Sequence, residues 1–304
     1  MYSYVGYGLG IHSDLLLSEL VAGEAGADVV VRLDKLEGRL PEAGSLEYGF
    51  WATAEGTYLF WEDVGTLLVR GGNEIIIDPV PGVEERRLRL FLLGAAMGVL
   101  HHQRGQLVLH ASAIDIDGGA VLFLGGRGWG KSTMAAALHG QGHRVLCDDV
   151  VALELNGGGV PTVSPGFPQL KLWPDVVAAL GVDPESLPRL SSRFDKRHFQ
   201  ANNGFCNAPA PVRHIIVLRR GPSLAIEHLQ PQQALIELLR HLYVARFGSL
   251  LLRQDEAPHL LQCAEVVRNV PVDLLNRPQS LPLVSAAARL VERHLALDVY
   301  RATA

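Results

Sequence analysis

The sequence predicts an α/β fold: a core built on a phosphate-binding loop (P-loop), preceded by a small, mostly antiparallel β unit. Three observations carry this reading. The first 85 residues are short β-branched or aromatic runs separated by turn residues. The middle of the chain places a strand, a glycine-rich loop, a helix and a strand in succession. The last third carries a further apolar strand and two amphipathic helices with proline near their starts. We divide the chain accordingly into a β-rich N-terminal unit, 1–85, and a loop-bearing domain, 86–304.

Within the N-terminal unit, "ADVVVRL" (27–33), "YGFWATAEGTYLFWED" and "VGTLLVRGGNEIIIDPVPG" read as strands, with a hairpin turn at 70–74. Pro79, Pro81 and Gly82 then punctuate the chain. From Glu84 to His102 the pattern is helical, acidic at its start and histidine-bearing at its end, with Leu90, Leu93, Met97 and Leu100 on one face. "GQLVLHASAIDIDGGAVLFLGG" gives two strands around Asp117-Gly118-Gly119. A helix over 131–139 and a strand over 144–155 follow, the beginning of a parallel sheet. Residues 156–211 are rich in Pro, Gly and Asn and read as loop-dominated, apart from a short helix at 174–181. A buried strand over 213–220 and helices over 231–247 and 282–297 complete the pass.

The bulk composition excludes several function classes. With 304 residues, 48% hydrophobic and 19% charged, the chain can build a sizeable core. A net charge of −5 and the lack of any basic block argue against a nucleic-acid partner. Cys147, Cys206 and Cys263 are far apart and form no metal knuckle, so they read as reduced thiols. The N-terminus lacks the basic start and apolar run of a signal peptide, and apolar patches such as 88–100 are too short to span a bilayer. The expectation is a cytoplasmic protein without membrane contact.

Gly125, Gly130, Lys131 and Ser132 satisfy G-x-x-x-x-G-K-[ST], with Gly126 and Gly128 adding backbone freedom. Glycines let backbone N–H groups turn inward around phosphates, and the N-terminus of the following helix adds positive potential. The whole stretch Gly125, Gly126, Arg127, Gly128, Trp129, Gly130, Lys131, Ser132 and Thr133 is therefore the nucleotide-binding candidate. Lys131 would reach the outer phosphates of ATP, and Ser132 would join a Mg²⁺ shell. Trp129 is an unusual residue in such a loop: covering the nucleotide and packing on the N-terminal unit are both open to it.

Asp148 and Asp149 sit near the C-terminal end of a strand, where parallel sheets place ligands. Asp148 lies 17 residues after Lys131 (148 minus 131), so one helix and one turn bring it back to the loop. A carboxylate there can bind Mg²⁺ or accept a proton from an attacking hydroxyl. Adjacent residues on a strand point to opposite faces, so one carboxylate should face the phosphate and the other orient something else. His110, ending the strand before the hairpin, is a third candidate.

The stretch "LHASAIDIDGGAVLFLGGRGWGKSTMAAALHGQGHRVLCDDVVAL" resembles the catalytic domain of HPr kinase/phosphorylase. The corresponding residues are His110, the loop from Gly125 to Ser132, Gly142-His143 and Asp148-Asp149. The resemblance implies a kinase that phosphorylates a serine of a peptide or small protein, with ATP and Mg²⁺ as cofactors. It further implies Asp148 as general base, Asp149 assisting, Ser132 and Asp148 at the metal, and His110 beside the site. Flanking segments are similar to HPr-kinase-like proteins of ribosomal-peptide biosynthesis, including lasso peptide kinases, which are thought to act on a precursor peptide. One departure stands out. The glutamate-containing E-[IV]-R-G-x-G motif of the bifunctional enzymes is absent, and "VSPGFPQLKLWPD" occupies its region. This points away from phosphorylase activity and from HPr as acceptor.

Lys171, Arg193, Lys196 and Arg197 fall in the loop-rich region and are the candidates for phosphate or substrate contact, since a cation there would stabilise a transferring phosphoryl group. His139 and His143 have metal-ligand spacing, but Gly140 and Gly142 break the helix between them. Two readings stand beside the kinase: a nucleotide-binding regulatory module without transfer chemistry, and a small-molecule kinase. Self-association into a homo-oligomer is compatible with the sequence.

Overall fold

The structure is a computed structural model describing residues 1–36, 47–191, 194–247 and 256–303. It is a mixed α/β architecture with several sheets. Strands Tyr2–Gly6 (β1), Leu9–Ser13 (β2), Val21–Ala22 (β3), Val29–Leu33 (β4), Tyr48–Ala52 (β5), Thr57–Trp61 (β6), Gly65–Arg70 (β7) and Glu74–Pro79 (β8) form one sheet in the order β3-β1-β2-β4-β8-β7-β6-β5. Its pairs are antiparallel except β2–β4 and β4–β8. The β7–β8 turn is the one read from "RGGNE"; Gly71 and Gly72 take φ of 60° and 64°, which a side chain would resist.

Helix Glu85–Phe91 (α1) runs through a π-helical turn, Leu92–Ala96, into Met97–Gln103 (α2). The expectation of a single apolar face is corrected here: residues 92–101 are buried all round, while Leu90 is only half-buried. The segment lies between the N-terminal sheet and the central one, so both of its sides are covered. One continuous core accordingly joins Leu67, Val69 and Ile77 to Leu92, Val99, Leu107 and Leu122. A second core lies beyond the central sheet around Phe123, Leu138, Ile216 and Val291.

The rest of the chain contributes Leu107–Leu109 (β9), Ser112–Ile116 (β10), Gly119–Leu124 (β11), Lys131–His139 (α3), Arg144–Asp148 (β12), Val151–Glu154 (β13) and Thr162–Val163 (β14). Next come Gln169–Leu172 (β15), Pro174–Ala179 (α4), Arg189–Ser191 (β16), Phe194–Gln200 (β17), Ala210–Arg220 (β18) and Ala225–His228 (β19). Pro231–Arg240 (α5), Glu256–Asn269 (α6), Val272–Arg277 (β20) and Val284–Thr303 (α7) close the chain. No helix among the described residues is long and apolar enough to cross a membrane.

The central sheet departs from the parallel succession read from the sequence. β11 pairs in parallel with β18, and β18 with β20. The strand after the loop helix, β12, does not sit beside β11. It pairs antiparallel with β10, because the β10–β11 hairpin already occupies that edge. The hairpin turns at Asp117 and Gly118, both at positive φ.

Two further expectations are corrected. The single strand over 144–155 is two strands, broken where Asp149 adopts φ 77°. The loop-dominated stretch 156–211 holds β14 and a separate three-stranded sheet, β15-β17-β16. Its strands are short and separated by Pro161, Pro165, Pro168, Pro174, Pro184 and Pro188, so punctuation outweighs periodicity in the sequence. The helix over 231–247 also ends early, at Arg240, and resumes as a 3₁₀ turn at Tyr243–Phe247.

Candidate functional site

Strand β11 is buried along its whole length and delivers the chain into the loop at Gly125. Gly130 takes the left-handed conformation at φ 92° immediately before α3, and a Cβ there would lie 2.0 Å from Arg277 Nη2. The conformation favours glycine, and any side chain there would also displace the Arg277 guanidinium. The first-turn residues Lys131, Ser132 and Thr133 follow at once.

Lys131 is buried, and its ammonium donates to the Gly125 carbonyl at 2.9 Å. Burial pushes it down to about 8, against the opposing pull of Asp148 and Asp149. Ser132 Oγ donates to Asp148 Oδ1 at 2.9 Å, and Ser112 Oγ to the same oxygen at 2.6 Å. The Lys171 backbone N–H donates to Asp148 Oδ2 at 3.0 Å. Asp148 thus ends β12 with both carboxylate oxygens engaged by protein donors.

Asp149 is set apart by its backbone. Its positive φ ends the strand, so the two carboxylates escape strict alternation and both reach one site. Lys171 Nζ lies 3.0 Å from Asp149 Oδ2; His110 Nδ1 lies 3.1 Å and Arg246 Nη1 3.3 Å from Oδ1. Burial alone would raise this carboxyl, but Lys171, His110 and Arg246 together hold it well below the usual carboxylate range. Burial lowers His110 in turn, against the pull of Asp149. Arg246 lies 4.9 Å from the ring centroid of Tyr243, which burial pushes up beyond its ordinary range.

The three-stranded sheet supplies cations to this cluster. Lys171 on β15 pairs with His198 on β17, and strand alternation puts Lys196 on the same face. Lys196 lies 5.6 Å from the Trp173 ring centroid and forms no ion pair among the described residues. Burial lowers its ammonium, with Asp148 and Asp149 pulling the other way. Arg197, one residue on, points to the opposite face. Its guanidinium is bound by Glu185 at 2.6 Å, Asp195 at 2.8 Å and the Pro184 carbonyl at 2.8 Å. The expectation that Arg197 contacts phosphate is corrected on that ground. Arg193 lies outside the described residues.

Trp129 rests against its own loop: a Cβ on Gly126 would come within 2.9 Å of its ring. Two arginines hold the loop from the far side. Arg277 donates to the Trp129 carbonyl at 2.8 Å and Arg220 to the Gly128 carbonyl at 3.3 Å. Arg127 is exposed at the loop tip.

The site therefore unites His110, Lys131, Ser132, Asp148, Asp149, Lys171 and Lys196. It also contains residues that sequence reasoning passed over. Ser112 lies two positions after His110, the spacing that puts both on one side of an extended segment. Arg246 and Tyr243 were hidden in what reads as an amphipathic helix. Gly94, in the π turn, would carry a Cβ 3.5 Å from Asp149 Oδ2 and 3.9 Å from Lys171 Nζ, and π turns recur at functional sites.

No protein-family model matches the chain, and no curated protein matches it. Among solved structures, the Hpr(Ser) kinase/phosphatase from Coxiella burnetii is similar at 18% identity, covering 64% of this chain and 98% of that one, with a TM-score of 0.34.

Proposed function

We propose that the chain is an ATP-dependent kinase that transfers the γ-phosphoryl group to a serine hydroxyl of a peptide or small protein, such as a ribosomally made precursor peptide. The observation that carries this reading is the placement of Ser132 and Asp148 2.9 Å apart at the start of the loop helix, with Asp149 and its three basic partners alongside.

The donor set fits Mg²⁺ and a nucleotide. Ser132 and Asp148 offer hard oxygen donors of the kind Mg²⁺ takes together with substrate phosphates. The glycine loop, the N-terminus of α3 and Lys131 suit a polyphosphate. When bound, the ion would neutralise charge on the phosphates. Lys131 would do the same from the loop side.

In transfer, the serine oxygen forms a bond to the γ-phosphorus. The bridging β–γ P–O bond breaks, ADP leaves with the electron pair, and the hydroxyl proton passes to a carboxylate. We assign that carboxylate to Asp149, revising the expectation for Asp148. Asp148 accepts from the loop serine, Ser132, the other candidate metal donor, which favours the metal side for it. Asp149 is held by cations that an incoming phosphate would draw off: Lys171 and Arg246 have an alternative anion to bind, and a carboxylate relieved of them is a better proton acceptor. Lys171, Lys196 and Arg246 would then face the transferring group.

Incubation with γ-labelled ATP, Mg²⁺ and a panel of serine-bearing peptides and HPr tests this. Label should move to a peptide serine. Asp149→Asn should lower transfer at least ~100-fold while still binding nucleotide with Mg²⁺. Asp148→Asn should weaken the Mg²⁺-dependent part of nucleotide binding. Label found only in free phosphate, or nowhere, despite tight nucleotide binding would overturn the reading in favour of a regulatory module.

A further inference from the structure

At the opposite ends of the two strands whose C-terminal arginines hold the loop lies a cluster unconnected with phosphate chemistry. Asp273 stands on β20, facing His228 across the β19–β20 pairing. His214 stands on β18, two residues before Ile216, the residue paired with Asp273, and so on the same face. His294 comes from α7, which covers that face. Asp273 Oδ2 meets Nε2 of both His214 and His294, the latter at 2.6 Å, and Oδ1 meets His228 Nδ1 at 2.9 Å. The ligating atoms of His214, Asp273 and His294 all lie within 4.8 Å of one another.

The chemistry of the group is unusual for a hydrogen-bond network. The Asp273 side chain is only 2% exposed, and histidines are its only ion-pair partners among the described residues. A buried carboxylate needs a paired cation or a metal. Three imidazoles drawn from elements 59, 45 and 21 residues away in sequence converge on it. Two imidazole nitrogens and one carboxylate oxygen form a donor set that borderline divalent ions, zinc foremost, take with an exogenous fourth ligand, while His228 holds the other oxygen of Asp273. Exposure rises outward, from 2% for His214 through 25% for His294 to 62% for His228, so an ion has an entry path from that side.

We propose that His214, Asp273 and His294 bind one zinc-class divalent ion, with water in the fourth position and His228 orienting Asp273 from its other carboxylate oxygen. The ion would staple β18 and β20 to the C-terminal helix. This inference is independent of the phosphotransfer reading.

The test uses the untagged full-length chain, stripped with a chelator and titrated with Co²⁺ as a spectroscopic stand-in for Zn²⁺. One Co²⁺ per chain should bind, giving the visible absorption of a low-coordinate nitrogen–oxygen site. Zn²⁺ should displace it, and added Zn²⁺ should raise the melting temperature. His294→Gln should abolish the band, whereas His139→Gln, remote from the cluster, should keep it. Should His294→Gln fail to fold, His228→Gln carries the test: by releasing Asp273 it should weaken Co²⁺ binding about tenfold or more. Absence of stoichiometric Co²⁺ binding, a band that survives His294→Gln, or an affinity indifferent to His228→Gln would overturn the proposal.

Discussion

Lys131 gives the most direct numerical test of the loop. Its ammonium is buried against the Gly125 carbonyl, and burial brings it down to about 8. On the proposed reading the loop takes a polyphosphate, which needs the charged form and would restore it. The free protein must therefore take up a proton on binding whenever the pH exceeds about 8. The charged fraction falls from about 0.9 at pH 7 to about 0.09 at pH 9, so affinity for Mg²⁺–ADP should drop about tenfold, or ~1.4 kcal/mol. Below pH 7 Lys131 contributes no further change. Calorimetric titration at pH 7, 8 and 9 measures the affinity, and two buffers of different ionisation enthalpy count the proton taken up. Lys131→Arg, whose guanidinium does not titrate in this range, should bind with little dependence on pH between 7 and 9. An affinity that changes less than twofold in the wild-type chain, or an equal decline in Lys131→Arg, would refute the argument.

Other expectations follow from buried groups. Burial pushes His101 and His198 down to about 4. An imidazole neutral in the fold but chargeable in the unfolded chain favours unfolding as pH falls, so stability should be level above about 6.5 and decline towards 4. Each should cost ~2 kcal/mol by pH 5, read from urea denaturation. His101→Gln should flatten the profile by its share, and an unchanged slope would exclude it. At Gly98 a Cβ would stand 2.3 Å from Tyr243 Cε1. Gly98→Ala should therefore destabilise by ~1–3 kcal/mol in spite of alanine's better helix propensity, as a denaturation midpoint would record. Lys196→Met should lower phosphoryl transfer and leave the melting temperature unchanged, whereas Arg197→Met should do the reverse. Equal effects on activity would deny that the sheet has a functional and a structural face.

The division between legible and hidden features has a physical basis. The loop is a local object: its glycines, Lys131 and Ser132 lie within one strand–turn–helix unit, so spacing alone marks it as a candidate. The β7–β8 and β10–β11 hairpins are local in the same way. Features assembled across the sheet left little trace. That β10 lies between the loop strand and β12 depends on which sheet edge the hairpin fills, and alternation within a strand does not encode that. Arg246, 97 residues from Asp149, is one arginine among apolar residues until the chain folds. The same holds for the histidine cluster. The pair with ligand-like spacing, His139 and His143, has separate partners, the His143 carbonyl and Glu292. The real convergence draws on positions 214, 228, 273 and 294, which no short window contains.

The π turn above the site has a consequence for how the chain can be cut or grafted. The widened turn leaves the Leu93 carbonyl facing Tyr7, whose hydroxyl donates to it at 3.4 Å from the far end of the sequence. Tyr7 is itself pinned in a left-handed bend at φ 57°, with its backbone N–H on the Pro165 carbonyl at 2.7 Å and its ring edge-on to Phe167 and His101. The first strands thus work as a keystone: they wedge the helix carrying Gly94 against the segment that leads into Lys171. A chain begun at residue 86 would keep every loop and carboxylate residue in its sequence, yet it would lose the wedge that fixes the distance between two walls of the site.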